Sequence, residues 1–474
     1  MIDFNKQRVF FFSFSVISVI LLLICFFCEG TGGGGDSTYH YLYAKYALEH
    51  PENFFDHWAK PIFTILAFPF AQFGFIGMKF FNLLMSLIAC YFSYKTLRIF
   101  KTENTEWIAV ILFSITLFVT NTFSGLTEPL SAAILMYSIY LILNNKTLPG
   151  VSVISFLPFV RSEGLIILGV FFIYLIVTKK YKYIVWLALG HLVMSIIGSF
   201  YYRDFLWVFS KIPYAHISSV YGKGTWNHFV EQLFFQMGLI EYSLLIIGGI
   251  SMVVLLIKQP VNTLYLNEKL WLIYGCFIAF FIAHTSFWAL GIFNSMGLSR
   301  VFVSVMPLMA IIVLDGINFI ITLVRNFNYT FSIIVKYIIL GLIVIFPFLN
   351  NPASYTLPDD FELENTQSKI KKDLVPYIKM YKKNKIVITS DITVAYFLDI
   401  DVFDKKLCKM YYDIKNFDQI DSNEIIVWDN WFATMEFNTP FEKLSKSEKL
   451  KLDTLIYFKN KNNREMQFAI FSKK

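Results

Sequence analysis

Long uninterrupted runs of apolar residues constrain this chain more than any other feature of its sequence. The first extends from Val9 to Cys28, and a helix needs about 20 such residues to cross the hydrocarbon core of a bilayer. Of the 474 residues, 56% are hydrophobic and 16% are charged, whereas soluble domains are about one quarter charged. The sequence therefore predicts a polytopic membrane protein and excludes a soluble globule with a large core.

Ten further apolar runs follow, so that we predict about eleven spans. The first run follows Lys6 and Arg8, as the core of a signal peptide would. It is long for such a core and has no small-residue cleavage site after it, which favours a retained helix. The other predicted spans lie at roughly 74–94, 107–125, 129–144, 147–161, 164–178, 183–202, 236–257, 270–290, 301–324 and 331–349.

Lysine and arginine fall mainly in alternate loops, which predicts the orientation of the spans. The residues that mark the inner loops are Lys95, Arg98, Lys101, Lys146, Lys179, Lys180, Lys182, Lys258, Lys269 and Arg325. By the positive-inside rule the N-terminus is cytoplasmic, and an odd number of spans places the C-terminal end on the extracytoplasmic side. We expect a multi-pass protein of the bacterial cytoplasmic (inner) membrane. The net charge of +7 is explained by these loops, so no nucleic acid partner is predicted.

Charge is concentrated at the C-terminal end of the chain. Residues 351–474 hold 39 Asp, Glu, Lys and Arg, and the 350 residues before them hold 36. In this part "NKIVITS" and "EIIVWDNWF" are typical of buried strands, and "LIYFKN" and "MQFAIFSK" predict a terminal hairpin. We therefore predict a mainly α transmembrane catalytic domain over 1–350 and an extracytoplasmic α/β domain over 351–474.

The first large outer loop, from Thr31 to about Phe73, begins with a cluster of glycines and an acid. Gly32–Gly35 permit backbone conformations that other residues avoid and allow a substrate to approach closely. Asp36 follows at the membrane–water boundary, where partial dehydration suits a carboxylate that acts as a base. The alternative is a solvated loop with an incidental aspartate.

Aromatic and polar side chains continue through this loop. On a helix, the tyrosine, histidine and tyrosine three, four and seven residues after Asp36 share its face. Aromatic rings beside polar groups suit sugar rings. A belt of aromatic residues at the lipid headgroups is the alternative, but it accounts less well for the histidines and lysine. The candidate substrate-binding residues of the loop are Tyr39, His40, His57, Trp58 and Lys60.

Charged residues also occur at three later outer turns. Glu128 in "SGLTEPLSA" lies between two apolar runs, where a carboxylate is costly and indicates function, although it also suits the first turn of a helix. Arg161 and Glu163 in "FVRSEGL" form either a surface pair or, through Arg161, a bidentate phosphate contact. Arg300 in "NSMGLSRVFVSVMPL" lies at the outer end of a predicted span. It binds either a ligand phosphate or the phosphate of a lipid headgroup.

The order of these features resembles that of the GT-C superfamily of integral-membrane glycosyltransferases. Its members include protein O-mannosyltransferases, the lipid A aminoarabinose transferase and the mannosyltransferases of glycolipid anchors. The resemblance covers roughly residues 9–350 and rests on one N-terminal helix, an acid in the first outer loop, many spans and an outer C-terminal domain. Asp36 in "GGDSTYHY" matches the acid of that loop, whereas Ser37 stands where several members carry a second acid.

Other short segments carry the resemblance further. "HWAKP" is similar to the Lys-Pro segment that closes the first loop, which corresponds to Lys60, and Glu128 matches a second acidic position. "RSEG" and "SRVFVSVMPL" are similar to arginine-bearing segments of the anchor mannosyltransferases.

The resemblance implies a polyprenyl-phosphate sugar donor used at the outer face of the membrane. The acceptor would be a hydroxyl on a glycan, a lipid or a protein, and membrane lipid would surround the site. Asp36 and Glu128 would be the catalytic acids, with Asp36 as the base of an inverting transfer. Arg161, Arg300 and Lys60 would stabilise the phosphate. No cofactor is certain, and the missing second acid beside Asp36 leaves a divalent metal open.

Two other classes of protein remain as alternatives. A multispan transporter or lipid flippase explains the spans and the buried charges, but it predicts broken helices in paired halves, and no such pairing is evident. A surface polysaccharide polymerase or ligase shares outer loops and arginines but needs no globular tail. The sequence has no Walker A motif, Rossmann glycine fingerprint or H-E-x-x-H motif, so ATP-driven transport and zinc proteolysis lose support.

Overall fold

The computed structural model of the chain describes residues 2–213, 219, 221–258, 264–356, 360–459 and 463–474. The first part of the chain is almost wholly helical. Its α-helices are α1 (Ile2–Phe27), α2 (Gly34–Lys45), α3 (Pro61–Ala71), α4 (Phe75–Ile99), α5 (Ile108–Ser114), α6 (Thr116–Thr122), α7 (Glu128–Leu143), α8 (Thr147–Ile154), α9 (Gly164–Val177), α10 (Leu189–Tyr202), α11 (Trp207–Ser210), α12 (His228–Lys258), α13 (Leu264–Lys269), α14 (Cys276–Leu290), α15 (Met306–Arg325) and α16 (Tyr329–Ile345). Turns of 3₁₀ helix lie at Pro51–Phe55, Thr105–Trp107, Leu157–Phe159, Tyr181–Ala188, Ser299–Ser304 and Phe346–Phe348, and a π-helical segment, Leu270–Gly275, joins α13 to α14.

Seven helices of the described residues are long and apolar enough to cross a membrane, or up to eight if one bent pair counts as a single span. These helices confirm a polytopic helical bundle, and the chain is an integral membrane protein with several spans. They lie at Asn5–Phe27, Phe75–Ile99, Tyr181–Tyr202, His228–Lys258, Leu266–Leu290, Met306–Arg325 and Tyr329–Phe348, and the bent pair covers Thr105–Ser114 and Thr116–Thr122.

Three of the eleven predicted spans are shorter than a full crossing. The runs at 129–144, 147–161 and 164–178 form apolar helices of 10–17 residues. In α7 nearly every side chain is buried against the rest of the protein, so these apolar residues cover other helices rather than lipid. A fourth short apolar helix, α3, lies inside the predicted first loop and was not predicted.

Two predicted spans are interrupted. The run at 107–125 bends by 76° between α5 and α6, where Ile115 has an extended backbone (φ −74°, ψ 107°). The run at 236–257 belongs to α12, which begins earlier, at His228, and contains Gly238 in a non-helical conformation (φ 72°, ψ 170°). Glycine tolerates this positive φ without a Cβ clash. Residues 214–218 and 220, between α11 and α12, lie outside the described residues.

Helix α15 runs through the centre of the bundle. Its residues from Met306 to Ile317 are buried, which is why this run is hydrophobic on all sides. Its one carboxylate, Asp315, accepts hydrogen bonds from Lys269 Nζ and Tyr274 Oη, both at 2.7 Å. Asp315 therefore joins α15 to α13 and to the π-helical segment that follows it.

A five-stranded sheet follows the bundle. Its strands are β1 (Ile386–Thr389), β2 (Cys408–Met410), β3 (Glu424–Asp429), β4 (Leu450–Lys459) and β5 (Glu465–Lys473), in the order β2-β1-β3-β5-β4. Strand β1 is parallel to β2 and β3, and β5 is antiparallel to β3 and β4. The short helices around it are Asn365–Lys369, Val375–Tyr381, Ile392–Leu398, Phe432–Met435 and Phe441–Ser445.

The sheet confirms the predicted C-terminal α/β region. The four predicted strands correspond to β1, β3, β4 and β5, and β4 and β5 pair as a hairpin whose residues 460–462 lie outside the described part of the chain. The edge strand β2 was not predicted because three residues show no alternation of their own. Helix α2 packs against this region, with Tyr41 and Leu42 in one apolar cluster with Ile392 and Met410. The first loop is therefore held between the bundle and the sheet.

Candidate active site

Asp36 and Arg300 form an ion pair between the first turn of α2 and the 3₁₀ turn that precedes α15. Arg300 Nη2 donates a hydrogen bond to Asp36 Oδ2, and Nη1 lies 3.5 Å from the Gly33 carbonyl oxygen. An acid in the first turn is favoured by the helix dipole. The Asp36 side chain remains 46% exposed, so one edge of this carboxylate stays accessible.

The glycines before Asp36 allow the chain to approach the turn that leads into α7. Gly32 has φ +65°, a conformation that L-residues rarely adopt, and a Cβ there would lie 2.8 Å from Ser124 Cβ. A Cβ on Gly33 would lie 2.7 Å from Leu126 Cδ1. These glycines therefore allow close packing of the protein's own chain, and close approach by a substrate stays a prediction.

Glu128 is the buried centre of a line of alternating charges. Its Oε1 atom lies 2.6 Å from Arg161 Nη1 and 3.7 Å from Arg300 Nε, and its side chain is 1% exposed. Arg161 Nη2 in turn lies 2.8 Å from Glu163 Oε1, and its Nη1 donates to Thr127 Oγ1 at 3.1 Å. We call this line the charge network; its members are Asp36, Arg300, Glu128, Arg161 and Glu163.

Opposite charges within the charge network set the pKa values of three of its members, Arg161, Glu163 and Arg300. Burial opposes the charge of Arg161, but Glu128 and Glu163 outweigh it and raise the Arg161 pKa. Burial likewise opposes the charge of Glu163, yet the Arg161 guanidinium lowers the Glu163 pKa to about 2. The carboxylates of Asp36 and Glu128 outweigh the effect of burial on Arg300 and raise its pKa. Breaking one contact would leave an uncompensated charge in a desolvated place.

Lys60 lies next to the charge network. Its Nζ donates a hydrogen bond to Ser162 Oγ at 2.8 Å. Ser162 is the residue between Arg161 and Glu163 in the sequence. Desolvation lowers the Lys60 pKa to about 8, although Glu163 acts in the opposite direction. The residue has φ 69° immediately before Pro61, which starts α3. A positive φ strains the backbone of a residue other than glycine, and strained residues of this kind are concentrated at functional sites.

Rings of the first loop form a cluster beside the network. His40 stacks on Trp58 with ring centroids 4.8 Å apart, and Tyr39 lies 4.7 Å from the same indole. Burial lowers the His40 pKa to about 3, against the attraction of Asp36, so the imidazole is neutral. Its Nδ1 is buried and has no hydrogen-bond partner among the described residues. Tyr39 and His40 lie on α2 together with Asp36, which confirms the prediction that the three residues share a helix. Trp58 lies outside α2.

His57 lies apart from the charge network. Its ring packs 5.0 Å from Trp207 and 6.3 Å from Phe159, in an apolar cluster that also holds Met194. Burial lowers its pKa to about 4. The nearby charge of Lys60, another candidate residue, lowers the His57 pKa further, and the role of His57 in substrate binding stays a prediction.

The C-terminal region adds residues that the sequence analysis missed. Glu436 accepts a hydrogen bond from Tyr221 Oη. Desolvation raises the Glu436 pKa, and the nearby charges of Asp36 and Asp391 raise it further. A Cβ on Gly35 would lie 3.9 Å from Phe432 Cζ, so this region covers the start of α2. No motif marks Glu436, because the contact depends on how the sheet packs against the first loop.

The site residues do not fit the divalent metal that the sequence left open. In the described ranges, no group of three or more His, Cys, Asp and Glu could hold a metal ion. Asp36 and Glu128 both lie against arginine guanidinium groups, whose charge would repel a metal cation.

A helical membrane bundle followed by a small α/β region is the order of features on which the resemblance to the GT-C superfamily rests. Comparison with solved structures confirms this resemblance at the level of the fold. The crystal structure of ArnT from Cupriavidus metallidurans bound to undecaprenyl phosphate aligns with a TM-score of 0.60, 10% identity, and coverage of 96% of this chain and 97% of that chain. The apo structure of the same protein aligns with a TM-score of 0.54, 11% identity, and coverage of 97% and 98%.

Sequence comparison adds nothing to this result. No protein-family model matches the chain, and no curated protein matches it by sequence. An identity of 10–11% with ArnT shows a shared fold, so the chemistry has to be argued from the residues of the site.

Proposed function

We propose that this chain is a membrane glycosyltransferase that moves a sugar from a polyprenyl-phosphate-linked donor to an acceptor hydroxyl at the outer face of the membrane. The observation that carries the proposal is the charge network, in which the buried Glu128 carboxylate contacts Arg161 and Arg300. The fold gives further support, because it is shared with ArnT, whose crystal structure holds undecaprenyl phosphate.

The cations next to Ser162 suit the phosphate of such a donor. Cleavage of the sugar–phosphate bond turns a phosphodiester into a monoester and adds negative charge to the leaving group. Arg161 supplies a guanidinium charge, and its Nε is a buried donor with no partner among the described residues. The Lys60 ammonium donates a hydrogen bond to the neighbouring Ser162. Both would hold the phosphate more strongly as its charge develops, which is how such groups accelerate a reaction.

Asp36 is the proposed base. Its side chain is 46% exposed, so an acceptor hydroxyl can reach it, and the hydrogen bond from Arg300 Nη2 orients its carboxylate. The hydroxyl oxygen forms its bond to the anomeric carbon as its proton passes to Asp36. The bond between that carbon and the phosphate oxygen breaks on the opposite face, and its electron pair leaves with the phosphate. Such a single displacement inverts the anomeric centre.

Glu128 acts through the arginines in this proposal. A side chain with 1% exposure cannot reach an acceptor, which favours a positioning role over the direct catalytic role that the sequence analysis gave it. Its carboxylate orients the guanidinium groups of Arg161 and Arg300, while His40, Tyr39 and Trp58 provide ring faces for the sugar. Glycan, lipid and protein remain the candidate acceptors.

Purified protein in liposomes that contain a polyprenyl-phosphate sugar tests the proposal. We expect wild-type protein to release polyprenyl phosphate and Asp36→Asn to lose this activity, because an amide cannot accept the proton. Asp421→Asn, which makes the same change at an exposed position in the C-terminal region, is the matched control.

Two results would contradict the proposal. Full activity of Asp36→Asn would remove Asp36 as the base. Wild-type protein that moves the intact lipid-linked sugar across the bilayer without cleaving it would support the flippase alternative instead.

A further inference from the structure

A cavity of about 270 Å³ lies next to the Asp36–Arg300 pair. Its walls come from the glycine loop before α2, from α6, from the turn before α15 and from the segment that follows α16. Arg300 lines the cavity and also contacts Glu128, whereas neither Arg161 nor Lys60 is part of its wall. The cavity therefore adjoins the charge network at Arg300 and does not extend to Arg161 or Lys60.

The charge of the cavity wall is negative. Asp360, Glu362 and Glu364 all line it, and the cation of the described wall is Arg300, which is already paired with Asp36. Carboxylates at such close quarters repel a phosphate and favour a ligand that is neutral or positively charged.

A buried amide in the same wall points to the same kind of ligand. Asn121 is 3% exposed, and its Nδ2 donates to the Leu117 carbonyl oxygen at 2.9 Å. This bond fixes the orientation of the amide and leaves Oδ1 as a buried acceptor with no partner among the described residues. An unmade hydrogen bond of this kind costs free energy, and a ligand that donates a hydrogen bond would recover it.

We propose that this cavity binds the headgroup of the acceptor, and that the headgroup is rich in hydrogen-bond donors, such as an amino sugar. The inference rests on the proposed function, because it assigns the cavity to the second substrate of that reaction. The wall offers the Glu362 carboxylate and the Asn121 Oδ1 atom as acceptors, which match an ammonium and a hydroxyl. A headgroup held here lies beside Arg300 and hence beside Asp36, which would take the proton of its reacting hydroxyl.

Ligand binding to the purified, detergent-solubilised chain tests the proposal without any turnover. The probes are glucosamine with its amine protonated, N-acetylglucosamine and glucose 6-phosphate, measured by saturation-transfer NMR. We expect glucosamine to bind most tightly and glucose 6-phosphate least. Glu362→Gln should weaken glucosamine about tenfold, the loss expected for one charged hydrogen bond. Asn121→Leu should weaken glucosamine and N-acetylglucosamine alike.

The control is Glu448→Gln, which removes an exposed carboxylate elsewhere in the C-terminal region and should leave the affinities unchanged. Glu362 is exposed, so Glu362→Gln keeps the test valid if Asn121→Leu does not fold. Equal affinity for all three probes, or normal glucosamine binding by Glu362→Gln, would overturn the proposal. Displacement of glucosamine by a short-chain polyprenyl phosphate would also overturn it, since the cavity would then serve the donor phosphate.

Failure of this inference is distinguishable from failure of the proposed function. Glucosamine binding that follows the expected order in a protein that cleaves no lipid-linked donor would contradict the reaction and retain the headgroup site. Donor cleavage that depends on Asp36, in a protein that does not discriminate among the three probes, would contradict the headgroup site alone.

Discussion

The guanidinium of Arg161 lies 2.6 Å from the Glu128 carboxylate, although only 1% of the Glu128 side chain is exposed. The same carboxylate oxygen lies 3.7 Å from Arg300 Nε. One buried acid thus holds two arginines that come from distant parts of the chain. Because a buried charge without its partner is strongly destabilising, this arrangement couples the stability of the fold to the geometry of the site.

Replacement of Glu128 by glutamine should therefore lower both stability and activity. We expect Glu128→Gln to lose about 3 kcal/mol of stability, because two desolvated guanidinium groups lose a common partner. The exposed pair of Glu103 and Arg325 provides the control, and Glu103→Gln should cost at most about 1 kcal/mol. Thermal unfolding in detergent measures both. Equal losses of stability in the two variants would show that burial of Glu128 does not increase the contribution of its ion pairs to stability.

Arg161 and Arg300 should affect the rate more than substrate affinity. If each stabilises the developing phosphate charge, Arg→Ala at either position should remove about 2–4 kcal/mol of transition-state stabilisation and lower kcat. Arg→Lys should restore part of the loss as a point charge without the bidentate geometry. Steady-state kinetics with a purified lipid-linked donor measure this, with Arg325→Ala as control. Near-normal kcat and KM in both alanine variants would exclude the two residues from phosphate binding.

The pH dependence of the reaction should show the titration of Lys60. Desolvation lowers the pKa of its ammonium from 10.5 to about 8, so the cation is present below this pH and is lost as the pH rises through it. In kcat/KM, which reports the free enzyme, we expect activity to fall above a pKa of about 8. The alkaline decrease in kcat should occur at higher pH than the decrease in kcat/KM, because phosphate bound next to Lys60 favours the charged ammonium.

Lys60→Arg provides the check on that assignment. A guanidinium stays charged over the same pH range, so the alkaline limb of kcat/KM should disappear in this variant while some activity remains. An alkaline limb that persists unchanged in Lys60→Arg would mean that another group titrates.

The contact between Tyr221 and Glu436 should contribute to substrate binding. It joins the segment between α11 and α12 to the C-terminal region beside Asp36. Tyr221→Phe removes the donated hydrogen bond, and a loss of about 1 kcal/mol should lower kcat/KM about fivefold. Tyr457→Phe, on an exposed position of β4, is the control. An unaltered kcat/KM in Tyr221→Phe would show that the C-terminal region covers the site without assisting it.

The predicted orientation can be tested by labelling of single cysteines. The five native cysteines are buried, so they can be replaced by alanine or serine to provide a background. We expect an impermeant maleimide to label Glu49→Cys and Glu448→Cys in intact cells, and Lys101→Cys only after lysis. Each of these positions is exposed. Labelling of Lys101→Cys in intact cells, with the other two protected, would reverse the orientation and contradict a site at the outer face.

Several features of the protein follow from local sequence and were predicted correctly. The length of an apolar run determines whether a helix can cross a bilayer, and the long runs such as those in α1, α4 and α15 do form helices of spanning length. Alternation and β-branched residues predicted β1, β3, β4 and β5. The spacing of Asp36, Tyr39 and His40 predicted one helical face, since their separation is a property of the backbone alone.

Other features depended on the tertiary structure. The run that forms α7 is apolar because it packs against protein, and composition cannot separate this from contact with lipid. Asp36 and Arg300 are separated by 264 positions, and Glu436 comes from beyond the last span. Ion pairs form where packed helices bring opposite charges together. The local sequence does not specify the distance in space between residues that are far apart along the chain. The sequence thus determined the membrane-spanning class of the fold and the candidate charges, whereas helix packing alone decided which charges meet.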